Sequence, residues 1–273
     1  MRNPNSLSIG ILYFDTPLNQ FNTTINSTIT AVKNAKRMGL LQKCTIYIIN
    51  NSATEKLLTR EIEIKLANEG ITPKFIKNEE NIGFARAHNI AISESDDNFH
   101  LILNPDVELE AFAIAEGLKF LRANVDCSIV GPKGEDREGK NLYLAKAYPT
   151  LLSLLLRGLR GKTNLFAGFL SDYECHQLYE KQKPEKILLT SGCFMLCRLQ
   201  HLKNIEGFDE RFFLYFEDFD LSLRIQSEGK VYWLPSMLIF HSGGHTITKG
   251  LFHIFLFIKA ALRFFRSHGW KLI

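Results

Sequence analysis

Residues 45–52 read Thr45-Ile46-Tyr47-Ile48-Ile49-Asn50-Asn51-Ser52, a short β-branched run that stops abruptly in three small polar side chains. A run of that length and composition, closed by turn-forming residues, is a strand. Stretches with helical spacing of apolar residues flank it at 23–39 and 54–70. Further outward the pattern repeats: strands at 7–14, 72–77 and 100–103, and a helix at 83–93. Alternating β and α segments predict an α/β fold with a doubly wound, mostly parallel sheet and helices on both faces.

In such sheets ligands sit beyond the carboxyl ends of the strands. The residues there are Asp15, Asn50-Asn51-Ser52, Asn81 and Asn104-Pro105-Asp106, all polar apart from the proline. No G-x-G-x-x-G follows the first strand, which argues against a dinucleotide-binding protein. Gly161-Lys162-Thr163 resembles the end of a phosphate loop, but Leu156 stands where its first glycine is required.

The C-terminal half predicts a strand at 188–197, a helix at 217–228, strands at 231–234 and 237–240, and a terminal helix at 250–267. A helix follows near 109–121, and residues 148–170 form an amphipathic helix or a flexible segment. At 273 residues the chain suits one α/β core with a C-terminal extension. Its five cysteines form no C-x-x-C pair, so they are read as thiols of a reducing compartment, with Cys193 and Cys197 in the core. The N-terminus shows no basic region followed by a long apolar run, so no secretory signal is read there.

The net charge of +4 is modest, but its distribution is uneven. No Asp or Glu follows Glu228, and residues 139–171 are also free of acids while holding Lys140, Lys146, Arg157, Arg160 and Lys162. Such segments suit phosphate-bearing partners. No nucleic-acid motif accompanies them, so no nucleic-acid partner is expected.

Several acids are placed for chemistry. Asp106, at a strand's carboxyl end, could hold a hard divalent cation against a diphosphate, with Glu108 a second carboxylate two residues on. The same residues also suit a turn and the first turn of a helix. Glu217-Asp218 lies between Phe212, Phe213, Tyr215, Phe216 and a helix, where apolar walls would raise the basicity of a carboxylate. A plain helix N-terminus accounts for the pair equally well. Asp220 is explained structurally by Arg224, four residues on. The small residues of 81–89 would let a nucleotide approach the backbone, with Asn81 and Asn89 as hydrogen-bonding groups, or would serve a tight helix-sheet contact. His241 and the Ser242-Gly243-Gly244-His245 loop could cover a diphosphate.

Together these segments resemble glycosyltransferase family 2, which has the GT-A fold, and within it the rhamnosyltransferase-like branch of bacterial polysaccharide assembly. The match rests on Asn81-x-Gly83-Phe84-Ala85 to Asn89, Leu103-Asn104-Pro105-Asp106-Val107, Ser191-Gly192-Cys193-Phe194-Met195, and the long segment Gly207-Phe208-Asp209-Glu210 through Glu217-Asp218-x-Asp220-Leu221 to Arg224, ending in His241. The resemblance implies an inverting transfer from a nucleotide sugar, with Asp218 as the catalytic base and Glu217 as the catalytic residue beside it. It implies Asp106 as the ligand of Mg²⁺ or Mn²⁺, and Asp15, Asn50, Asn81, Gly83, Asn89, Asn104 and His241 as substrate-binding residues. Asn50 stands where the family usually has Asp, and Asn104 replaces the first acid of the metal motif.

The expected organisation is a catalytic domain over 1–248, with a nucleotide-sugar half (1–110) and an acceptor half (111–248), followed by a basic amphipathic helix over 249–273. The expected partners are a nucleotide-sugar donor, dTDP-linked by preference, a lipid-linked saccharide acceptor and an anionic membrane surface, at the cytoplasmic face of the cell membrane. The apolar run 251–258 is broken by Lys259 well short of the ~20 apolar residues of a span. Phe257, Ile258, Ala261, Leu262, Phe264 and Phe265 are expected to dip toward lipid with Lys259, Arg263 and Arg266 near the headgroups, unless the aromatics cap the core. A different donor sugar, or a non-catalytic sugar- or membrane-binding role for the same fold, are the competing readings. The sequence does not define an oligomeric state.

Overall fold

A computed structural model of the chain describes residues 5–52, 59–158, 167–241 and 250–272. The N-terminal half runs β1 (Ser6–Tyr13), α1 (Leu18–Arg37), β2 (Lys43–Asn50), α2 (Thr59–Asn68), β3 (Thr72–Lys77), α3 (Phe84–Glu94) and β4 (Phe99–Leu103). The sheet is completed from β5 (Val107–Leu109), α4 (Ala113–Ala123) and β6 (Cys127–Glu135) onward. Then come β7 (Ala145–Lys146), α5 (Leu151–Gly158), α6 (Ala167–Tyr173), α7 (Gln177–Lys181), β8 (Glu185–Ile187), β9 (Leu189–Thr190), β10 (Phe194–Arg198) and α8 (Leu199–Asn204). The chain ends with α9 (Glu217–Arg224), β11 (Lys230–His241) and α10 (Leu251–His268).

The main sheet has the order β3-β2-β1-β4-β10-β6-β11-β5, with β8 also on β11. The β3-β2-β1-β4 block and the β6-β11 pair are parallel, while β10, β5 and β8 run antiparallel to their neighbours. Every residue of β1 is buried, as a strand covered on both faces requires. One face packs under α1 and α4, through Phe21, Ile25, Ile114 and Leu118. The other packs under α3 and α8, through Ala85, Ile92, Leu199 and Leu202. The expected α/β architecture is therefore the one observed.

Three predicted segments differ from their sequence reading, and β6, β8, α7 and α8 had no counterpart in it. Residues 188–197 are two strands, β9 and β10, separated by a bend at 191–193. The strands expected at 231–234 and 237–240 are one strand, β11, with a register shift between Leu234 and Leu238 around Pro235, which lacks the N–H a ladder needs. The helix expected from residue 109 begins at Ala113, because 107–109 pair with the end of β11. The loop 242–245, the segment 161–163, the start of the helix predicted over 54–70 and the 248/249 boundary lie outside the described residues.

Of the cysteines, Cys44, Cys127, Cys193 and Cys197 are buried free thiols. No helix among the described residues is long and apolar enough to cross a membrane. Helix α10 caps the molecule instead, with Ala260, Phe264 and Phe265 buried beside Phe212, Phe216 and Phe219. This corrects the expected orientation: Phe264 and Phe265 face the protein, and the Arg263 guanidinium lies 5.9 Å from the centre of the Phe212 ring.

Candidate active site

In register, Tyr13 stands opposite Asn50 and Asn50 opposite Lys77, so β1, β2 and β3 end level with one another. Their polar successors therefore meet along one edge. Asp15 sits in the left-handed region at φ 48° and its N–H donates to Ser52 Oγ at 2.8 Å. Asn50 Oδ1 accepts the Ser52 N–H at 2.8 Å, a local turn that closes the strand.

The hub of this edge is Asn51, which is buried. Its Nδ2 donates to Asn81 Oδ1 and to the Gly83 carbonyl, both at 3.2 Å, and its Oδ1 accepts from Asn78 Nδ2 at 2.6 Å. Asn81 Oδ1 also accepts the Gly83 N–H at 3.0 Å. Gly83 has φ 87°, and a Cβ there would stand 2.6 Å from the Phe213 carbonyl oxygen. The small residue thus admits the loop that leads to α9. Asn89 was expected to touch the nucleotide. Instead its Nδ2 donates to the Phe208 carbonyl (2.9 Å) and Glu210 Oε1 (3.1 Å), and its Oδ1 accepts the Phe208 N–H (2.9 Å). It pegs the 207–210 loop to α3.

One strand further, β4 runs into Asn104-Pro105-Asp106. The Asn104 N–H donates to the Cys193 carbonyl at 2.9 Å, and Thr24 Oγ1 donates to the Pro105 carbonyl at 2.9 Å, which fix the turn on both sides. Asp106 Oδ1 is buried without a hydrogen bond among the described residues, while His241 Nε2 stands 3.4 Å from it. Both border a cavity of about 360 Å³ that is also lined by Asn19, Gln20, Thr23 and Phe240. Glu108, the second candidate carboxylate, is turned to Arg137 at 2.8 Å. The Asp106 carboxylate suits Mg²⁺ or Mn²⁺, with room for substrate oxygens to complete the shell, while the His241 imidazole is a softer donor that favours Mn²⁺ of the two. Among the described residues no third His, Cys, Asp or Glu joins them.

The bend at 191–193 links this turn to α9. Gly192 N–H donates to Asp218 Oδ2 at 2.9 Å, and a Cβ on Gly192 would stand 3.1 Å from Asp218 Cβ. The Phe219 N–H donates to Oδ1, also at 2.9 Å. Just before the helix, Tyr215 and Phe216 both have positive φ, at 73° and 63°. Each such residue costs on the order of 1–3 kcal/mol, and strain of this kind collects at functional sites. The cluster of Phe212, Phe216, Phe219, Phe257 and Phe264 holds it in place.

Burial raises the pKa of both Glu217 and Asp218, and the neighbouring Asp218 charge raises that of Glu217 further. Glu217 Oε2 has no hydrogen-bond partner among the described residues, whereas backbone N–H groups stabilise the Asp218 carboxylate. Of the two, Glu217 is therefore the one pushed further toward its protonated form. Asp220 is structural, as read from the sequence: Arg224 Nε contacts it at 2.7 Å, and His268 Nε2 lies 2.8 Å from its other oxygen.

Sequence reasoning missed three contributors. Asn51 had no local signal to set it above Asn50. Arg157 of α5 was noted only as one of several cations, yet its charge counters the rise in the Asp218 pKa. It also opposes the burial that pushes Tyr173 up to about 12. The Gly192 amide lay inside an expected strand, where its N–H would have gone to the ladder.

A mixed sheet with helices on both faces, carrying acids at the carboxyl edge of β4 and at the start of α9, is the architecture of GT-A glycosyltransferases. The family model for glycosyl transferase family 2 matches residues 18–205, and the chain belongs to that family. It is similar to rhamnosyltransferase WbbL of Escherichia coli (strain K12), 22% identical over 179 residues, which covers 60% of this chain and 62% of that protein. It is also similar to the N-acetylglucosaminyl-diphospho-decaprenol L-rhamnosyltransferase of Mycobacterium tuberculosis (strain CDC 1551 / Oshkosh), 26% identical over 181 residues, covering 61% of this chain and 57% of that protein. The matched stretch thus spans about six tenths of these relatives. Among solved structures, GalNAc-T7 with UDP, GalNAc and Mn²⁺ superposes with a TM-score of 0.59 at 17% identity, over 86% of this chain and 43% of that one. S. aureus TarS in complex with UDP-GlcNAc gives 0.56 at 13% identity, over 90% and 61% respectively.

Proposed function

We propose that the chain is an inverting glycosyltransferase that moves a sugar, by preference L-rhamnose from dTDP-rhamnose, onto a lipid-diphosphate-linked saccharide during assembly of a bacterial surface polysaccharide such as an O-antigen. The observation that carries the reading is Asp218: a half-buried carboxylate of raised basicity, aimed by the Gly192 N–H at the start of α9. Asp218 takes the proton of the acceptor hydroxyl as its oxygen bonds to the anomeric carbon. The bond from that carbon to the diphosphate oxygen breaks on the opposite face, and the nucleoside diphosphate leaves with the electron pair. Glu217, pushed further toward its protonated form, keeps a second negative charge out of the pocket.

Residues 1–110 would hold the donor through Asp15, Asn50, Asn81 and Asn104, and residues 111–248 the acceptor. Asp106 and His241 would hold Mg²⁺ or Mn²⁺, which when bound neutralises charge on the departing diphosphate. The rhamnosyltransferase names of the two relatives support rhamnose, and the diphospho-decaprenol in one of them supports a lipid-linked acceptor. Such an acceptor places the enzyme peripherally on the inner, cytoplasmic face of the cell membrane. A UDP-sugar is the second donor reading, favoured by UDP and UDP-GlcNAc in the structural neighbours.

The test offers dTDP-rhamnose, UDP-sugars and GDP-sugars to the purified chain with a polyprenyl-diphosphate N-acetylglucosamine acceptor, with and without Mn²⁺. Mass spectrometry should find one added deoxyhexose from dTDP-rhamnose. No product from any donor would sink the reading.

A further inference from the structure

Helix α10 divides its surface between two environments. Its inner face is consumed by the Phe212, Phe216 and Phe219 cluster. Its outer face carries Leu251, Phe252, Phe255, Ile258 and Leu262, all exposed, with Leu251 at 84% and Phe252 at 65%. The positions 251, 255, 258 and 262 follow the spacing of a single helical stripe. Water gives no reason to display such a stripe.

Two further elements extend it. The Leu151 and Leu152 N–H groups donate to the Lys271 and Leu272 carbonyls at 3.0 and 3.2 Å, so the C-terminal segment lies along the start of α5. Leu155, Trp270 and Leu272 are exposed there. Lys259 and Arg266 are exposed on the outer face of α10 itself, and Arg157 and Lys271 belong to the flanking elements. No acid occurs in 139–171 or after residue 228, so these elements bear charge of one sign only.

We propose that this composite face, formed by the outer side of α10 with residues 151–157 and 270–272, docks flat on an anionic lipid bilayer. A helix with an apolar stripe and flanking cations, too polar to span, lies in the interface plane and buries its stripe at the headgroup boundary. The same helix is clasped to α9 by His268 Nε2 and Asp220 Oδ1 at 2.8 Å, so the lipid-facing surface and the helix bearing Asp218 are held together. The proposal assigns the membrane partner of the site and rests on the lipid-linked acceptor of the proposed function for its purpose. Its test uses neither donor nor acceptor, so the two readings fail separately.

Co-sedimentation of the full chain is measured with phosphatidylglycerol-containing vesicles and with pure phosphatidylcholine vesicles, at low and high salt. The native chain should bind the anionic vesicles and be released by salt. Lys259→Gln with Arg266→Gln should weaken binding on the order of 10-fold. Phe252→Ser with Phe255→Ser should abolish it, with an unchanged circular dichroism melt to show that the fold persists. No binding at low salt, or undiminished binding by both double variants, overturns the proposal. So does self-association of the native chain that the Ser variants abolish while no vesicle is bound, since the face would then meet a second copy.

Discussion

The edge formed by β1, β2 and β3 and the pocket formed by the 191–193 bend and α9 are both polar places in an apolar fold, yet they are built on opposite principles. Along the first, the polar groups satisfy one another: Asn51 joins Asn78, Asn81 and Gly83, and Ser52 joins Asp15 and Asn50. In the second region and beside it, buried carboxylate oxygens are left without hydrogen-bond partners among the described residues, as at Glu217 Oε2 and Asp106 Oδ1. A satisfied network rigidifies a loop, whereas an unsatisfied buried carboxylate holds proton affinity or charge for a ligand. The first region therefore supplies shape and the second supplies reactivity.

Substitutions that separate shape from reactivity test this contrast. Asp218→Asn retains the size of the side chain and removes its basicity, so turnover should fall on the order of 10²–10⁴-fold while donor affinity and melting temperature persist. In the native enzyme the acid limb of kcat/KM should lie above the ordinary carboxylate range, because burial raises the Asp218 pKa and the base must be ionised to work. Near-native single-turnover rates in the folded Asn variant would reassign the base.

Asp106→Ala should lower turnover on the order of 10²-fold and weaken donor binding with it, since its charge acts on the leaving diphosphate. Titration calorimetry with the nucleoside diphosphate in Mn²⁺ reads the binding change. Unaltered affinity there would separate Asp106 from the donor.

Asn51→Ala is the counterpart in the first region. It leaves buried partners unpaired and should destabilise the fold by about 1–3 kcal/mol in denaturant titrations, with a smaller effect on kcat. A catalytic loss as large as that of Asp218→Asn at unchanged stability would break the distinction between the two regions.

The smallest effect at neutral pH is expected under α3, where burial lowers the pKa values of His88 and His100 from 6.5 to about 3. The unfolded chain takes up these protons first. Stability is thus complete above pH 6.5 and is lost as pH falls toward 3. His88→Phe, in a site already flanked by the Phe84 and Phe208 rings, should flatten the slope of stability against pH by up to one proton. An unchanged slope would place the acid sensitivity elsewhere.

Much of this was legible beforehand. The β1 to β4 block follows from β-branched runs alternating with helical spacing, because a strand buried on both faces needs such a run whatever its neighbours are. Asp106 and Asp218 were also visible, one as the polar end of an apolar strand and the other as an acid after an aromatic cluster. The antiparallel placing of β10 between β4 and β6 was not, since register between distant segments leaves no local trace. Nor was the break at 191–193, where apolar composition favours a strand and the requirement of Asp218 for a backbone donor prevails.

The sequence by itself determined the alternating strands and helices of residues 7–103 and which carboxylates stand at the ends of β4 and before α9, because periodicity and strand termination are properties of neighbouring residues. It also determined that α10 is amphipathic and basic. Which side of that helix meets the protein was decided only by tertiary packing. A stripe containing Phe264 and Phe265 and a stripe containing Phe252 and Phe255 are equally apolar in isolation, and only the ring cluster at Phe212, Phe216 and Phe219 makes the first the buried one. The same holds for charge. Glu217 and Asp218 are adjacent acids in the sequence, and what sets them apart is that Asp218 accepts the Phe219 N–H and the Gly192 N–H, the latter from 26 residues earlier in the chain.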